Sequence, residues 1–191
     1  MISVRLTGPL NPLRVDISFL DLISAPSSPG RSLPEGWSVE SDVRLTLGDY
    51  RALYDAVGRP WCWWMRTVMS DAKLEGILSS PETRVFLLRE GDDVRGFFEL
   101  DIQTAWRRVN IAYFGLLPEA IGCGVGAAFL RHAIDAAWSL RPHRVTVNTC
   151  TADHPRALPI YLSAGFRLVQ VVREEWDIPA SLNMSLPVHL R

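Results

Sequence analysis

Gly122, Gly124 and Gly126 alternate within Leu116-Leu117-Pro118-Glu119-Ala120-Ile121-Gly122-Cys123-Gly124-Val125-Gly126-Ala127. An apolar run over residues 109–117 reads as a strand that breaks at Pro118. Beyond the glycines, Phe129, Ala133, Ala136 and Leu140 recur at helical spacing. A strand, a glycine turn and a helix start in that order gather unpaired backbone N–H groups and the positive end of a helix dipole at one point. Without a Cβ at the glycines, an anion can come close to the main chain. The chemistry this predicts is the holding of a phosphate group.

The elements that must present the loop follow from periodicity and turn residues. Residues 14–22 predict a strand, and Ser24-Ala25-Pro26-Ser27-Ser28-Pro29-Gly30 ends it. Residues 1–35 therefore read as an N-terminal extension on a main domain of residues 36–191. Residues 37–45 predict a strand, and Thr46 with Asp49 a capping box that opens a helix carrying Tyr50, Leu53 and Tyr54. Gly58 and Pro60 end that helix. Residues 61–69 predict a second helix, on which Trp61 and Trp64 share a face, and residues 72–78 a third, capped by Asp71. Residues 84–89 and 94–102 around Gly91-Asp92-Asp93 predict a hairpin. After the loop helix come a strand at 144–149, a helix with Pro155 at its first position and Gly165 just past its end, and a long strand at 166–176. A further strand is expected from Pro179 onward. The order predicts an α/β domain whose mixed, mainly antiparallel twisted sheet is flanked by helices.

Composition excludes several classes. A chain of 191 residues with net charge −1 can bury a full core, and its bulk field favours neither nucleic acid nor an anionic membrane. Cys62, Cys123 and Cys150 form no CxxC pair, which gives no zinc pattern and suits a reducing cytosol. Arg5, Pro9, Pro12, Arg14 and Asp16 interrupt the first apolar runs, so no signal peptide is read. No run approaches the roughly 18 apolar residues of a membrane span. The expectation is a cytoplasmic protein with no metal and with neither nucleic acid nor membrane as partner. An exposed strand leaves a homodimer open.

Three ligands compete for the loop. A dinucleotide fold needs G-x-G-x-x-G, an early βαβ unit and an acid about 20 residues on. Here the glycines run G-x-G-x-G beyond residue 120, and the next strand ends Val147-Asn148-Thr149 without a carboxylate. A methyl-donor loop also alternates its glycines but fails on the same missing acid. The third ligand is the pyrophosphate of coenzyme A. Gly124 and Gly126 match the two glycine positions of the Gln/Arg-x-x-Gly-x-Gly/Ala signature, with Ile121 in the Gln/Arg place and Pro118-Glu119 ahead of it. Downstream, His154-Pro155-Arg156-Ala157-Leu158-Pro159-Ile160-Tyr161-Leu162-Ser163-Ala164-Gly165-Phe166 follows the pattern Asn-x-x-Ala, tyrosine, Gly-Phe, with His154 in the Asn place. In these two motifs, across roughly residues 109–170, the chain resembles the GNAT family of acyl-CoA-dependent N-acyltransferases.

The resemblance implies a GNAT fold and transfer of an acetyl group from acetyl-CoA to a primary amine, on a small molecule or peptide, in a ternary complex. No cysteine or serine nucleophile is needed. It implies that Ile121, Gly122, Cys123, Gly124, Val125, Gly126 and Ala127 hold the pyrophosphate, that Leu116 and Leu117 lend backbone groups to the pantetheine arm, and that His154 meets the ligand. Tyr161, seven residues after His154, is the expected general acid, since a phenol with a pKa of about 10 keeps its proton at neutral pH. Alternation within Phe97-Phe98-Glu99-Leu100-Asp101 sets Glu99 among aromatics on one face of its strand, where a raised pKa would suit a general base. Asp153 and His154 read as caps of the helix that follows. The Trp61, Trp63 and Trp64 cluster lies where the family covers its acceptor, as pocket or as core. The alternative function is a module that binds acyl-CoA without transferring the acyl group.

Overall fold

A computed structural model of the chain describes residues 8–190; Arg5, the rest of the first seven residues and Arg191 lie outside it. The strands are β1 (Leu10–Leu22), β2 (Trp37–Glu40), β3 (Thr83–Glu90), β4 (Asp93–Gln103), β5 (Arg108–Leu116), β6 (Arg144–Cys150) and β7 (Arg167–Pro179). The helices are α1 (Leu47–Gly58), α2 (Asp71–Leu78), α3 (Gly126–Ser139) and α4 (Ala157–Ser163). The strands form a single seven-stranded sheet in the order β2-β3-β4-β5-β6-β1-β7, antiparallel at every step except β5 against β6. Among the described residues no helix is long and apolar enough to cross a membrane.

Both faces of the central strands are covered, which explains why β3 and β4 are apolar nearly throughout. Val85, Leu87 and Phe97 pack under α1 and α2 with Tyr50, Tyr54 and Leu74. Phe86, Leu88, Phe98 and Leu100 face the other way, against Phe129, Leu130, Ala133 and Ile134 of α3. There the Phe86 and Phe98 rings stack with centroids 4.3 Å apart. Helix α1 starts as its capping box requires: the Thr46 hydroxyl accepts from the Asp49 N–H at 3.1 Å and donates to the Asp49 carboxylate at 2.7 Å.

Strand β1 comes from the segment that reads locally as an extension. It lies between β6 and β7, with Ile17 opposite Cys150 on one side and Val172 on the other. Its Leu20 and Leu22 enter the α3-side core. Other local expectations are corrected. Strand β2 stops at Glu40, short of residue 45, and Asp42 turns with φ 54°. Residues 61–69 form no helix, because after a short 3-10 turn Cys62 takes φ 58° and redirects the chain. Helix α4 begins at Ala157, which leaves Pro155 in the preceding turn, and after β7 the chain enters a 3-10 turn over Ala180–Leu182 instead of a strand. Gly165 follows α4 at φ 97°, the left-handed stop its position predicts.

On the α1 face one charged pair is enclosed by the core. Glu99 of β4 is 1% exposed, accepts from the Tyr50 hydroxyl at 2.5 Å and pairs with Arg66 Nη2 at 2.5 Å. Burial pushes the Glu99 carboxyl above its ordinary range, and the Arg66 charge with the Tyr50 hydroxyl pulls it back. Two outcomes follow from this packing. Leu20→Ala, in the segment that looks peripheral in sequence, lowers unfolding free energy by about 2–5 kcal/mol in urea titrations, as for a core leucine; a loss under about 0.5 kcal/mol, typical of a surface site, contradicts the placement of β1. Glu99→Gln leaves the Arg66 charge buried without its counter-ion and costs about 3–5 kcal/mol in the same measurement.

Candidate active site

Strands β5 and β6 run side by side only from the Arg108–Arg144 pair to the Ile111–Val147 pair. Ala112 sits at the break. Glu99 of β4 faces Tyr113 and Leu100 faces Ile111, so Ala112 is the extra residue of a β-bulge. A bulge bends and over-twists its strand, and from this point β5 stays with β4 while β6 goes on to β1. Between the parted strands lies a cavity of about 690 Å³, walled by residues 110–116 of β5 and by Val147, Asn148 and Cys150 of β6. On that side the strands do not pair, so their main-chain groups beyond Ile111 and Val147 face the gap instead of a ladder partner.

The glycine loop closes one end. Ile121, Gly122, Gly124, Gly126 and Ala127 border the cavity. Gly122 at φ 93° and Gly124 at φ 78° hold conformations that side chains resist, and a Cβ on either would meet nothing within 4 Å. Helix α3 starts at Gly126 with no side-chain cap. The N–H groups of Gly122, Gly124, Val125, Gly126 and Ala127 bond to no main-chain carbonyl, whereas those of Ile121 and Cys123 are taken by Pro118 and Ala120. The result is a concave row of free donors at the positive end of a 14-residue helix, a fit for a diphosphate. The side chains of Cys123 and Val125 stand off the cavity: the Cys123 thiol donates to the Glu119 carbonyl at 3.5 Å, and Val125 is fully buried in the core.

The remaining sequence candidates divide. Leu116 borders the cavity, but Leu117 is not among the residues that line it: its N–H donates to the Arg95 carbonyl at 2.8 Å and its carbonyl accepts from Ala120. Tyr161 borders the cavity at 5% exposure, its ring set edge-on to Phe114 and Phe166. Burial, and then the nearby charge of Asp153, push its phenol well above the ordinary range, so it stays protonated. His154 borders the cavity, accepts from the Arg156 N–H at 3.0 Å, and is held below its usual pKa by burial and by the charge of Arg156. Glu99 is not among the residues that line the cavity; its two carboxylate oxygens are engaged by Tyr50 and by Arg66. The cavity is lined on that side by Arg66, Tyr54 and Tyr113.

The third side of the cavity is aromatic. Because residues 61–66 are irregular, Trp61, Trp63 and Trp64 all reach it, where a helix would have set Trp63 apart from the other two. Trp63 lies 5.5 Å from Tyr54 and 5.2 Å from Tyr113, and Trp61 lies edge-on to His154 at 5.1 Å. The Arg66 guanidinium sits 5.3 Å from the centre of the Tyr113 ring, anchoring the end of the segment. Asp153 also departs from its expected role. Instead of capping α4 it folds back, accepting from Thr149 Oγ1 at 2.7 Å, the Cys150 N–H at 2.8 Å and Trp63 Nε1 at 3.1 Å. The tryptophan-rich stretch signalled this wall in the sequence; Tyr54, Tyr113 and Arg66 carried no signal separable from core.

No curated protein shows a significant match to this sequence. Solved structures do match in fold. A GCN5-related N-acetyltransferase from Sphaerobacter thermophilus aligns with TM-score 0.62 at 19% identity, over 90% of this chain and 54% of that one. A tandem GNAT protein from the clavulanic acid biosynthesis pathway aligns with TM-score 0.59 at 14% identity, over 86% and 53%. An aminoglycoside acetyltransferase from an uncultured soil metagenomic sample aligns with TM-score 0.55 at 14% identity, over 68% and 87%. The chain spans 54–61% of the length of the first three structures it matches. A family model described as the Acetyltransferase (GNAT) family matches residues 50–166, from α1 to the Gly165-Phe166 stop after α4. The architecture, the glycine loop and this match agree: the chain belongs to the GNAT acetyltransferase family.

Proposed function

We propose that the protein transfers an acetyl group from acetyl-CoA to a primary amine by direct attack in a ternary complex. The observation that carries this reading is the continuity of one cavity, which runs from the free N–H row of the glycine loop, along the unpaired edge of β5, to Tyr161 and the aromatic wall. Gly122, Gly124, Gly126 and Ala127, which border the cavity, hold the diphosphate through main-chain N–H groups. The β5 edge around Leu116 accepts the amide-bearing arm as an added strand would be accepted. The amine nitrogen attacks the thioester carbonyl carbon; a C–N bond forms and the C–S bond breaks. The ammonium gives one proton to water before it attacks; Tyr161 gives its phenolic proton to the departing sulfur, and the proton the nitrogen sheds as the amide forms returns through water to the Tyr161 phenolate. Alignment of two bound reactants supplies most of the acceleration, and a positioned proton donor a further factor of about 10²–10⁴. Glu99 takes no proton in this scheme. It fixes Arg66, and through it the end of the aromatic segment.

Two variants test the reading. Tyr161→Phe keeps the ring packing against Phe114 and Phe166 and removes the proton donor. It lowers kcat by about 10²-fold or more in a thiol-release assay, with the Kd for acetyl-CoA unchanged by calorimetry; an unaltered kcat removes Tyr161 from the chemistry. Gly124→Val places a β-branched residue at φ 78° and distorts the donor row. It weakens acetyl-CoA binding by about tenfold or more, the equivalent of roughly 1.4 kcal/mol. Binding of acetyl-CoA with no thiol release across a broad amine panel is the result that favours a non-catalytic acyl-CoA-binding module.

A further inference from the structure

We infer that the acceptor is an amine carried on an aromatic body, its ammonium docked on Asp153 and its ring seated against Trp63 and Tyr113. The inference rests on the acetyl-transfer reading for the fate of the amine, but its evidence is separate. Asp153 borders the cavity and is held rigidly by three donors: Thr149, the Cys150 N–H and Trp63. A carboxylate offers about four acceptor positions. Oδ2 accepts two hydrogen bonds and Oδ1 only one, from Trp63, so Oδ1 keeps a free acceptor position.

No ion pair among the described residues includes Asp153. The buried cation of the same wall, Arg66, is already committed to Glu99 at 2.5 Å. A fixed negative charge without a counter-ion, bordered by indole and phenol rings, attracts a cation with an apolar body through both the charge and the ring faces. Asp153 and Tyr161, the group assigned to protonate the leaving sulfur, border the same cavity. The other cavity carboxylate, Glu174, is exposed, where water and salt screen its charge more than that of half-buried Asp153, which favours one ammonium on an apolar body over the two of a diamine.

The test uses the full chain with 2-phenylethylamine, its uncharged isostere 2-phenylethanol, and putrescine, which has two charges and no ring. Binding is read by calorimetry, and transfer by thiol release from acetyl-CoA. The expected result is binding of 2-phenylethylamine about tenfold or more tighter than of either comparator, with the same order in kcat/KM. Asp153→Asn then weakens the amine by about tenfold while the Kd for acetyl-CoA stays the same. Should Asp153→Asn fail to fold, Trp63→Leu is expected to lower 2-phenylethylamine affinity toward that of putrescine. Equal affinity for amine and alcohol, or transfer to putrescine in preference, overturns the inference and leaves the transferase reading standing. Amine binding of the expected order with no binding of acetyl-CoA at millimolar concentration supports the ammonium site and removes the transferase reading.

Discussion

The site depends on a ladder that stops. Parallel strands β5 and β6 share pairs only as far as Ile111 and Val147, and every main-chain group beyond them on the facing edges still needs a partner. In a closed sheet those partners would be the neighbouring strand. Here that ladder partner is missing, so the sheet carries a slot between the parted strands, and at its far end the Cys150 N–H turns to Asp153 instead. The single extra residue at Ala112 sends β5 along β4, and β1 draws β6 the other way. With β1 paired to both β6 and β7, the half of the sheet beyond the slot is a three-stranded body able to hold the opening apart.

At the loop end, departure from the family signature has a small physical consequence. Ile121 stands where the signature has Gln or Arg, yet its N–H is already taken by the Pro118 carbonyl at 3.2 Å. The donors that remain free all lie downstream of it, from Gly122 to Ala127. Anion binding at this turn is a property of main-chain geometry and helix polarity, and both are set by the two left-handed glycines. An isoleucine here, 41% exposed, adds an apolar lip in place of one polar contact.

What was legible in the sequence was local. Alternating glycines after a proline, ahead of an apolar periodicity, specify the turn because each signal acts within a few residues; the Thr46–Asp49 box and the Gly165 stop were legible for the same reason. The alternation in β4 placed Glu99 on the face that carries Tyr50. Its partner, Arg66, was not legible, because the pairing is made by tertiary folding across 33 residues and from a segment whose conformation turns on the positive φ of Cys62. Helical spacing over residues 61–69 misled for that reason. Leu117 differs from Leu116 by a single step of register, which on a strand decides whether an N–H meets a neighbour or the gap. The place of β1 was the least accessible of all: its partners, β6 and β7, lie more than 120 residues away, and no periodicity records them.

The irregular wall poses the opposite problem from the glycine loop, for it must be fixed without a ladder. Residues 61–66 form few main-chain bonds, such as that of the Trp63 N–H to the Gly58 carbonyl at 3.1 Å, so their position depends on side chains. From the core, Glu99 holds Arg66, and the Tyr54 hydroxyl accepts from the Arg66 N–H at 3.4 Å. From outside, the chain after β7 folds over the same segment. Arg59 donates to the Leu182 carbonyl at 3.1 Å, the Cys62 thiol to the Ser185 carbonyl at 3.7 Å, and His189 lies 6.4 Å from the Trp61 ring. Each of these contacts alone is modest, but together they tie the tryptophan-bearing segment to the core on one side and to the chain after β7 on the other. The buried ion pair is therefore more than a core polarity that happens to be satisfied. Its cost in desolvation is offset by the attraction between the two charges and by the Tyr50 hydrogen bond, and the pair fixes the end of the aromatic segment.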